Sequence, residues 1–455
     1  MDVERGYKMN FDTVKDYLIS EATRMGLAEY EVYFMESSDM SAETLKDEIS
    51  SFSSGVSGGV CFRCIVDGRM GNASTELLTE KEMKALVGRA VENAKCIESD
   101  DKAILFRGSE KYEALNKVMM EMPEASQIKH VALELQKNTY AESEHIADGT
   151  QAGVISSSTY MELMNSHGLR LSNRVSMVGA YVNAVIQKDG QSKEDFELTL
   201  GLEEDSLKEI SEKAVQNALS KLNGADIPSG KYDVIISGKR MRDLLSAYSS
   251  AFSAKNAQLG MSLLKGKEGE QIASKVITLV DDPMREGNPM QTNFDGEGVA
   301  TYRKNVIDQG VLQTLLYDLA TADRAGVSST GNGQRAGYAG GVSIRPYSFY
   351  ITAGDKTEDE LKAMVSDGIY ITEFKGMHAG CNAVTGDFSI ASEGYRIRDG
   401  KLCEVIENFT VAGNFYELLK SVEALADQVQ FGFPSGFTGF GAPDALIRGM
   451  SVAGQ

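Results

Sequence analysis

The chain has 455 residues, of which 42% are hydrophobic and 25% are charged. This length exceeds what one ordinary hydrophobic core supports and predicts two or three globular domains. No apolar run reaches the roughly 18 residues of a membrane-spanning helix. The formal net charge of −20, with no local cluster of Lys and Arg, disfavours contact with the phosphate backbone of nucleic acid.

The N-terminal residues 1–10 are charged and contain no apolar core, which argues against a signal peptide. The cysteines are few and scattered, as expected for free thiols in a reducing compartment. We therefore expect a cytoplasmic protein with no membrane partner.

The five cysteines are Cys61, Cys64, Cys96, Cys381 and Cys403. The first two form a CxxC motif inside residues 60–66, where the alternation of side chains predicts a β-strand. No second CxxC or His pair completes a zinc site. We predict a structural strand with buried thiols and keep a functional dithiol as the alternative.

Helical periodicity recurs in the first half of the chain. Apolar residues spaced by three and four predict amphipathic helices at residues 11–25, 82–94, 128–135 and 207–222. Asn223 and Gly224 follow the last of these as a predicted left-handed stop. Two Thr-x-x-Glu capping boxes, at residues 79–82 and 357–360, predict helix starts.

Three Asp-Gly pairs separate β-rich runs, at residues 67–68, 189–190 and 399–400. Both residues of such a pair tolerate positive φ, which a tight β-hairpin requires. Strands joined by hairpins pair antiparallel, whereas parallel strands need long crossovers. The pattern therefore predicts an α+β fold with antiparallel sheets rather than a doubly wound α/β fold.

The sharpest domain boundary is predicted at residues 225–230, where Ala-Asp-Ile-Pro-Ser-Gly separates a helix stop from a new apolar run. It divides an N-terminal α+β region, residues 1–224, from a strand-rich C-terminal domain, residues 230–455. A softer boundary within residues 99–111 would split the first region near residues 100–110.

The sequence contains no complete catalytic constellation. Its four histidines are His130, His145, His167 and His378. There is no HExxH motif, and His130 with Glu134 would supply only two of the three ligands that catalytic zinc takes. A Ser-His-Asp triad stays compatible with the sequence, although no Gly-x-Ser-x-Gly elbow nominates its serine. The glycines of residues 330–337 are typical of a tight loop rather than a phosphate loop.

Residues 431–441 place four phenylalanines among four glycines. Exposed aromatic side chains usually serve interfaces, so this segment is a candidate contact with a substrate or another subunit. Alternatively, its rings fold back onto the core of their own domain. We expect the chain to self-associate or pair through the C-terminal domain, burying part of this segment.

A series of short motifs runs through the chain. In the C-terminal domain they are Asp-Asp-Pro at 281–283, Phe-Asp-Gly-Glu-Gly at 294–298, Ser-Thr-Gly-Asn at 329–332, Thr-Gly-Asp-Phe-Ser at 385–389 and Thr-Val-Ala-Gly-Asn at 410–414. The first region adds Val-Asp-Gly-Arg at 66–69 and Gly-Asn-Ala-Ser-Thr at 71–75. Their number and order resemble the TldD/PmbA family, also labelled modulators of DNA gyrase. The resemblance marks six candidate site residues of undefined role: Asp295, Glu297, Thr385, Gly386, Asp387 and Asn414.

This family has two branches. TldD-type chains carry HExxxH, whose histidines bind a metal together with a later cysteine and whose glutamate is the general base. Counting back from Gly-Glu-Gln at 269–271 aligns that motif with residues 245–250, where the three functional positions hold Leu245, Ser246 and Ser250. No cysteine follows Cys403. The chain therefore resembles the PmbA (TldE) branch, with no catalytic residue and no metal ligand of its own.

The local pattern agrees with this assignment, because Leu245 and Tyr248 continue the apolar spacing of Met241 and Leu244. Two side chains five residues apart lie about 140° apart on an ideal helix. A metal-binding version of the motif must therefore widen the turn locally.

The resemblance implies a non-catalytic subunit of a cytoplasmic metallopeptidase whose TldD-type partner holds the zinc. Such complexes cleave unfolded or extended peptides, mature peptide antibiotics of the microcin type and degrade antitoxins. In isolation a homodimer is expected. Two alternatives stay open: a stand-alone homodimeric peptide-binding or chaperone-like protein, and a protein regulator of DNA gyrase. The net charge favours an indirect effect on gyrase over contact with nucleic acid.

Overall fold

The computed structural model describes residues 10–98, 102–116 and 119–454. Residues 1–9, on which the argument against a signal peptide rests, and residues 99–101 of the softer boundary lie outside these ranges. The described chain has the predicted α+β fold, with antiparallel strands in the N-terminal region and a strand-rich C-terminal domain. No helix within these ranges is long and apolar enough to cross a membrane.

The described part of the N-terminal region combines long strands with four helices. In chain order these are α1 (Phe11–Arg24), β1 (Tyr30–Leu45), β2 (Glu48–Val66), β3 (Arg69–Thr75), α2 (Glu80–Cys96), α3 (Ala125–Ala141), β4 (Gln151–Asn165), β5 (Arg170–Lys188), β6 (Gln191–Leu200) and α4 (Glu204–Ser220). The strands form one sheet of order β3-β2-β1-β4-β5-β6, in which every neighbouring pair is antiparallel. The sheet thus continues across the softer boundary.

Alternation of side chains gives this sheet two covered faces. Val32 and Phe62 pack beneath α1 and α2, and α3 with α4 pack on β1, β4 and β5. Tyr33 and Cys61 point the other way and pack against Phe294 of the C-terminal domain. Because neighbouring side chains of a strand face opposite sides, burial of both faces fixes the register of β1 and β2.

The CxxC cysteines lie in β2, in the strand predicted for residues 60–66. Both thiols are free and buried, but Cys61 packs towards Phe294 whereas Cys64 packs beneath the helices. Burial raises the pKa of both thiols, that of Cys64 to about 11. Side chains on opposite faces of a strand cannot pair, so these cysteines serve the core as predicted and not as a dithiol.

The C-terminal domain is built from short elements. In chain order these are β7 (Gly230–Ile236), α5 (Gly238–Tyr248), a 3₁₀ turn (Ser249–Phe252), α6 (Ala254–Gln258), β8 (Leu279–Asp281), β9 (Lys304–Asp308), β10 (Val311–Leu312), α7 (Leu319–Ala325), β11 (Gly333–Arg335), β12 (Val342–Ile344), β13 (Ser348–Ile351), α8 (Glu358–Ala363), β14 (Asp367–Lys375), α9 (Met377–Gly380), β15 (Asp387–Arg398), β16 (Lys401–Asn414), α10 (Phe415–Ser421), β17 (Val422–Leu425), β18 (Gln430–Phe431), β19 (Gly439–Ala442) and β20 (Ala445–Ala453).

These strands form two six-stranded sheets and one small hairpin. The sheets have the orders β16-β15-β14-β7-β20-β17 and β10-β9-β8-β13-β19-β18, and β11 pairs with β12. Only β14 with β7 and β13 with β19 pair in parallel in the part of the chain that is described. One large apolar core joins α5 to both sheets.

The predicted turns are confirmed, because both residues of each Asp-Gly pair have positive φ and the pairs join β2 to β3, β5 to β6 and β15 to β16. The helix ends agree less well. Helix α4 ends at Ser220 rather than residue 222, and the left-handed residue beyond it is Asn223, with φ of 60°, not Gly224.

Two other local predictions need correction. The capping box at Thr357 is complete, whereas Thr79 accepts the N–H of Glu82 without the reciprocal bond. The predicted loop at residues 330–337 contains β11, whose three residues are buried and paired with β12. The sequence did not indicate this strand, because its side chains are polar and form their hydrogen bonds inside the protein rather than with water.

Candidate functional site

Helix α5 and the 3₁₀ turn that follows it carry the positions that align with HExxxH. Its buried residues include Met241, Leu244, Leu245 and Tyr248, at the predicted apolar spacing, and they belong to the large core of the domain. Leu245 is 1% exposed. The helix ends at Tyr248, and the chain continues directly into the 3₁₀ turn.

The side chains at these positions do not fit a zinc ion. Leu245 has no donor atom, and Ser246 and Ser250 are exposed neutral hydroxyls. The backbone carbonyls of both serines accept local side-chain bonds, from Ser249 Oγ at 2.9 Å and from Asn256 Nδ2 at 2.9 Å. Catalytic zinc takes about three protein ligands of the His, Cys or carboxylate type. We derive no metal chemistry from this chain.

Four of the six motif residues meet beside the end of α5. Asn414 Nδ2 donates to the Thr385 carbonyl and to Asp387 Oδ1, each at 2.9 Å. Asn414 also caps α10, because its Oδ1 accepts the N–H of Tyr416 at 3.1 Å. These bonds from Asn414 and Thr385 lower the pKa of the Asp387 carboxyl. The arrangement fixes a loop and a helix start.

Tyr248 joins this loop to α5. Its hydroxyl donates to the Asp387 carbonyl at 2.8 Å, and its ring stacks on Phe415 with centroids 4.5 Å apart. Burial raises the pKa of Tyr248 well above its ordinary value, so the hydroxyl stays a donor. Gly386 has φ of 83°, and a Cβ there would lie 2.5 Å from the Tyr416 ring, so the loop needs glycine at this point.

Asp295 and Glu297 form a separate, buried site. Asp295 accepts the N–H groups of Glu297, Val299 and Gly333 at 2.9–3.0 Å. Burial raises its pKa to about 6 despite these bonds. Glu297 accepts the N–H of Leu319 at 2.9 Å, and burial followed by repulsion from Asp295 raises its pKa to about 8. Two adjacent buried carboxyl groups favour one retained proton.

Arg335 connects this loop to the N-terminal sheet. Its Nη2 lies 2.6 Å from Glu31 Oε1, its Nε donates to the Gly296 carbonyl at 2.8 Å, and its guanidinium lies 4.5 Å from the centroid of Tyr33. Arg63 pairs with the same Glu31 oxygen at 2.7 Å. The buried ions are thus compensated, as burial requires.

A second buried ion pair holds the neighbouring strands. Lys304 Nζ lies 3.1 Å from Asp281, which also accepts Asn332 Nδ2 at 2.7 Å and the N–H of Tyr347 at 2.6 Å. Asp281 and Asn332 belong to the family motifs at residues 281–283 and 329–332, but the sequence did not single them out as site residues. The sequence did not point to Glu31 or Arg335. In a sequence, a charged residue of a strand looks the same whether it is buried in an ion pair or exposed to solvent.

The six motif residues therefore fall into two groups with different surroundings. Asp295 and Glu297 lie at the junction with the N-terminal sheet, where Glu297 borders a cavity of 220 Å³. The other four brace α10 against α5. Side chains of both groups form hydrogen bonds with backbone atoms of this chain. Among the described residues no group of three His, Cys, Asp or Glu could hold a metal ion.

Residues 431–441 fold back onto their own chain. Phe440 packs against the large core and Phe437 against the two apolar clusters under the N-terminal sheet. Phe433 lies against Gly179, 2.8 Å from where a Cβ would be. All four rings stay partly exposed, so self-association through this segment stays a prediction.

Family models for PmbA/TldA metallopeptidases match most of the chain. They are domain 1 at residues 30–94, the central domain at 121–222 and the C-terminal domain at 229–454. The chain belongs to the PmbA/TldD metallopeptidase family. The C-terminal model covers both groups of motif residues, so the geometry above describes a member of this family.

Individual relatives align over nearly the whole chain. An uncharacterised protein of Methanocaldococcus jannaschii is 30% identical over 89% of this chain and 93% of its own length. A Haemophilus influenzae protein named metalloprotease PmbA homologue is 25% identical over 91% and 90%. A crystal structure from Thermotoga maritima, described as a modulator of a DNA gyrase, is 26% identical and superposes with a TM-score of 0.88 over 98% of this chain and 100% of that one.

Proposed function

We propose that this chain is the non-catalytic, PmbA/TldE-type subunit of a cytoplasmic metallopeptidase whose TldD-type partner supplies the zinc site. The observation that carries the proposal is which side chains stand at the three motif positions on α5 and the 3₁₀ turn after it. Leu245 is a core side chain, and Ser246 and Ser250 are neutral hydroxyls. None of the three could polarise a water molecule or take its proton at neutral pH.

The proposed role of this subunit is to complete an enclosed site and shape the access of extended peptides to it. Peptide-antibiotic precursors and antitoxins are the proposed substrates. Rigid bracing supports this role, because Asn414 and Tyr248 tie α10 and α5 to one loop. The buried pair of Arg335 and Glu31 ties the C-terminal domain to the N-terminal sheet.

The first experiment is co-expression with a TldD-type chain encoded in the same genome, followed by co-purification and digestion of unfolded casein. We expect one complex, with chelator-sensitive digestion that disappears when the glutamate of the partner's HExxxH is changed to glutamine. This chain alone should be inactive and should carry no stoichiometric zinc by elemental analysis. Chelator-sensitive digestion by this chain alone would overturn the proposal.

The oligomeric state of the isolated chain is tested separately. We propose a homodimer as its resting form, which light scattering after size exclusion at micromolar concentration will measure. A monomer under these conditions would remove self-association from the proposal, and failure to bind the TldD-type chain would remove the heteromeric complex.

A further inference from the structure

A cavity of 380 Å³ lies between the end of β6 and residues 431–441. Leu198, Leu200, Pro289 and Pro434 give it apolar walls, and Arg285 and Phe431 line it as well. The cavity therefore combines hydrophobic surface with one cationic group. This is the composition of a pocket that orients a ligand by a single charge.

Arg285 is a half-buried cation that contacts an aromatic ring and two oxygen acceptors. Its guanidinium lies 3.8 Å from the centroid of Phe431, its Nη1 donates to the Glu286 carbonyl at 2.9 Å and its Nε reaches Ser348 Oγ at 3.4 Å. No Asp or Glu of the described ranges forms an ion pair with it. Asp282, which attracts it from farther away, pairs instead with Arg303 at 3.8 Å.

A desolvated guanidinium normally has a carboxylate partner, because burial of an uncompensated charge is costly. Burial accordingly lowers the pKa of Arg285, and Tyr350 and then Asp282 oppose that shift. Among the described residues only Nε and Nη1 of this fork donate hydrogen bonds, and a guanidinium fork matches a carboxylate in two parallel bonds. The guanidinium in this pocket therefore has no paired carboxylate among the described residues.

A second arginine lies behind the same segment. The Nη1 of Arg242 is 3.1 Å from where a Cβ on Gly432 would be, and its side chain is 16% exposed. It forms an ion pair with Asp243, the next residue, at 3.3 Å. Two guanidinium groups therefore flank residues 431–432, and Arg285 is the one that lines the pocket.

One wall of the pocket belongs to a strand at the edge of its sheet. β6 is the outermost strand of its sheet, and Leu198 and Leu200 near its end line the cavity. Farther along β6, Asp195 and Phe196 border another cavity, of 510 Å³. An extended chain with its end at Arg285 could therefore run along β6, using backbone groups that pair with no strand in the described part of the chain.

We propose that this pocket binds the C-terminal carboxylate of a peptide whose last side chain is apolar, with Arg285 holding the carboxylate and Leu198, Leu200 and Pro289 contacting the side chain. This inference rests on the proposed peptide-binding function. It adds that the C-terminal end of the peptide is recognised and that Arg285 recognises it. An acidic side chain within a peptide would bring the same charge, so the test distinguishes the two.

The test measures binding of fluorescein-labelled pentapeptides to the full chain by fluorescence polarisation. One peptide ends in leucine with a free carboxylate, one is the same peptide amidated at its C-terminus, and one is amidated but carries an internal aspartate. We expect the first to bind at least about tenfold more tightly than the other two. Equal binding of the three, or tightest binding of the internal aspartate, would overturn the proposal.

The variant Arg285→Met should reduce binding of the free-acid peptide to the level of the amide. The matched control is Arg398→Met, which removes an exposed arginine that pairs with Glu404 on a remote hairpin and should leave binding unchanged. Circular dichroism checks that both variants fold, and the peptide comparison on the unmodified chain needs no variant. The measurement contains no TldD-type partner, so its failure is separate from failure to form the complex.

Discussion

Replacing Leu245 by alanine tests whether the first position of the lost motif has become part of the core. Leu245 is 1% exposed and lies in the core shared by α5 and both C-terminal sheets. Truncation removes most of a fully buried side chain and leaves a cavity in its place. Leucine-to-alanine changes at such positions cost about 2–5 kcal/mol of the free energy of unfolding, and the cost rises with the volume that cannot collapse.

The neighbouring motif position provides the comparison. Ser246 is exposed on the same helix, so Ser246→Ala should change stability by no more than about 0.5 kcal/mol. The protein contains no Trp, so far-UV circular dichroism is the suitable signal for urea and thermal unfolding. A stable Leu245→Ala variant beside a destabilised Ser246→Ala variant would show that the helix face is assigned incorrectly.

Three further predictions concern the braced loops. Arg335→Met should cost about 3–5 kcal/mol in chemical denaturation, because it removes one of the two arginines that pair with the buried Glu31 and leaves the Gly296 carbonyl without its donor, and unchanged stability would contradict this. Glu297→Gln should flatten the pH dependence of stability. The pKa of Glu297 is about 8 in the folded protein and 4.5 in the unfolded chain, so its contribution to the free energy of unfolding is complete below pH 4.5 and is lost as pH rises to 8. Melting temperatures of the variant that vary with pH as steeply as those of the unmodified protein would contradict this. Gly386→Ala should lower stability by about 1–3 kcal/mol, because φ of 83° and the Tyr416 ring both oppose a Cβ, and an unchanged melting temperature would refute the strain.

Local patterns predicted much of the fold. The Asp-Gly turns needed no tertiary information, since their φ values follow from two residues, and the apolar rhythm of α5 placed Leu245 in the core. The end of α4 was misplaced by two residues, because Lys221 and Leu222 already form a turn before the left-handed Asn223. β11 was missed because its polar side chains are satisfied by partners far along the chain.

The candidate site was less accessible to sequence reasoning. The motifs marked Asp295 and Asn414 without indicating that they brace different loops. The Glu31–Arg335 pair joins residues 304 positions apart, and neither residue stands out locally. Arg285 and Phe431 likewise meet only in the folded chain. A single sequence does not reveal such long-range pairings, since residue spacing indicates only which side chains are neighbours on one helix or strand.

The central position of β1 limits how the N-terminal region can be divided. β1 pairs with β2 on one side and with β4 on the other, so matches to domain 1 and to the central domain fall on a single sheet. A protease cut between α2 and α3 would leave two pieces that stay associated and separate only in denaturant. An expression fragment ending at Cys96 would expose the edge of β1 over thirteen paired positions, Glu31 to Glu43, and should aggregate.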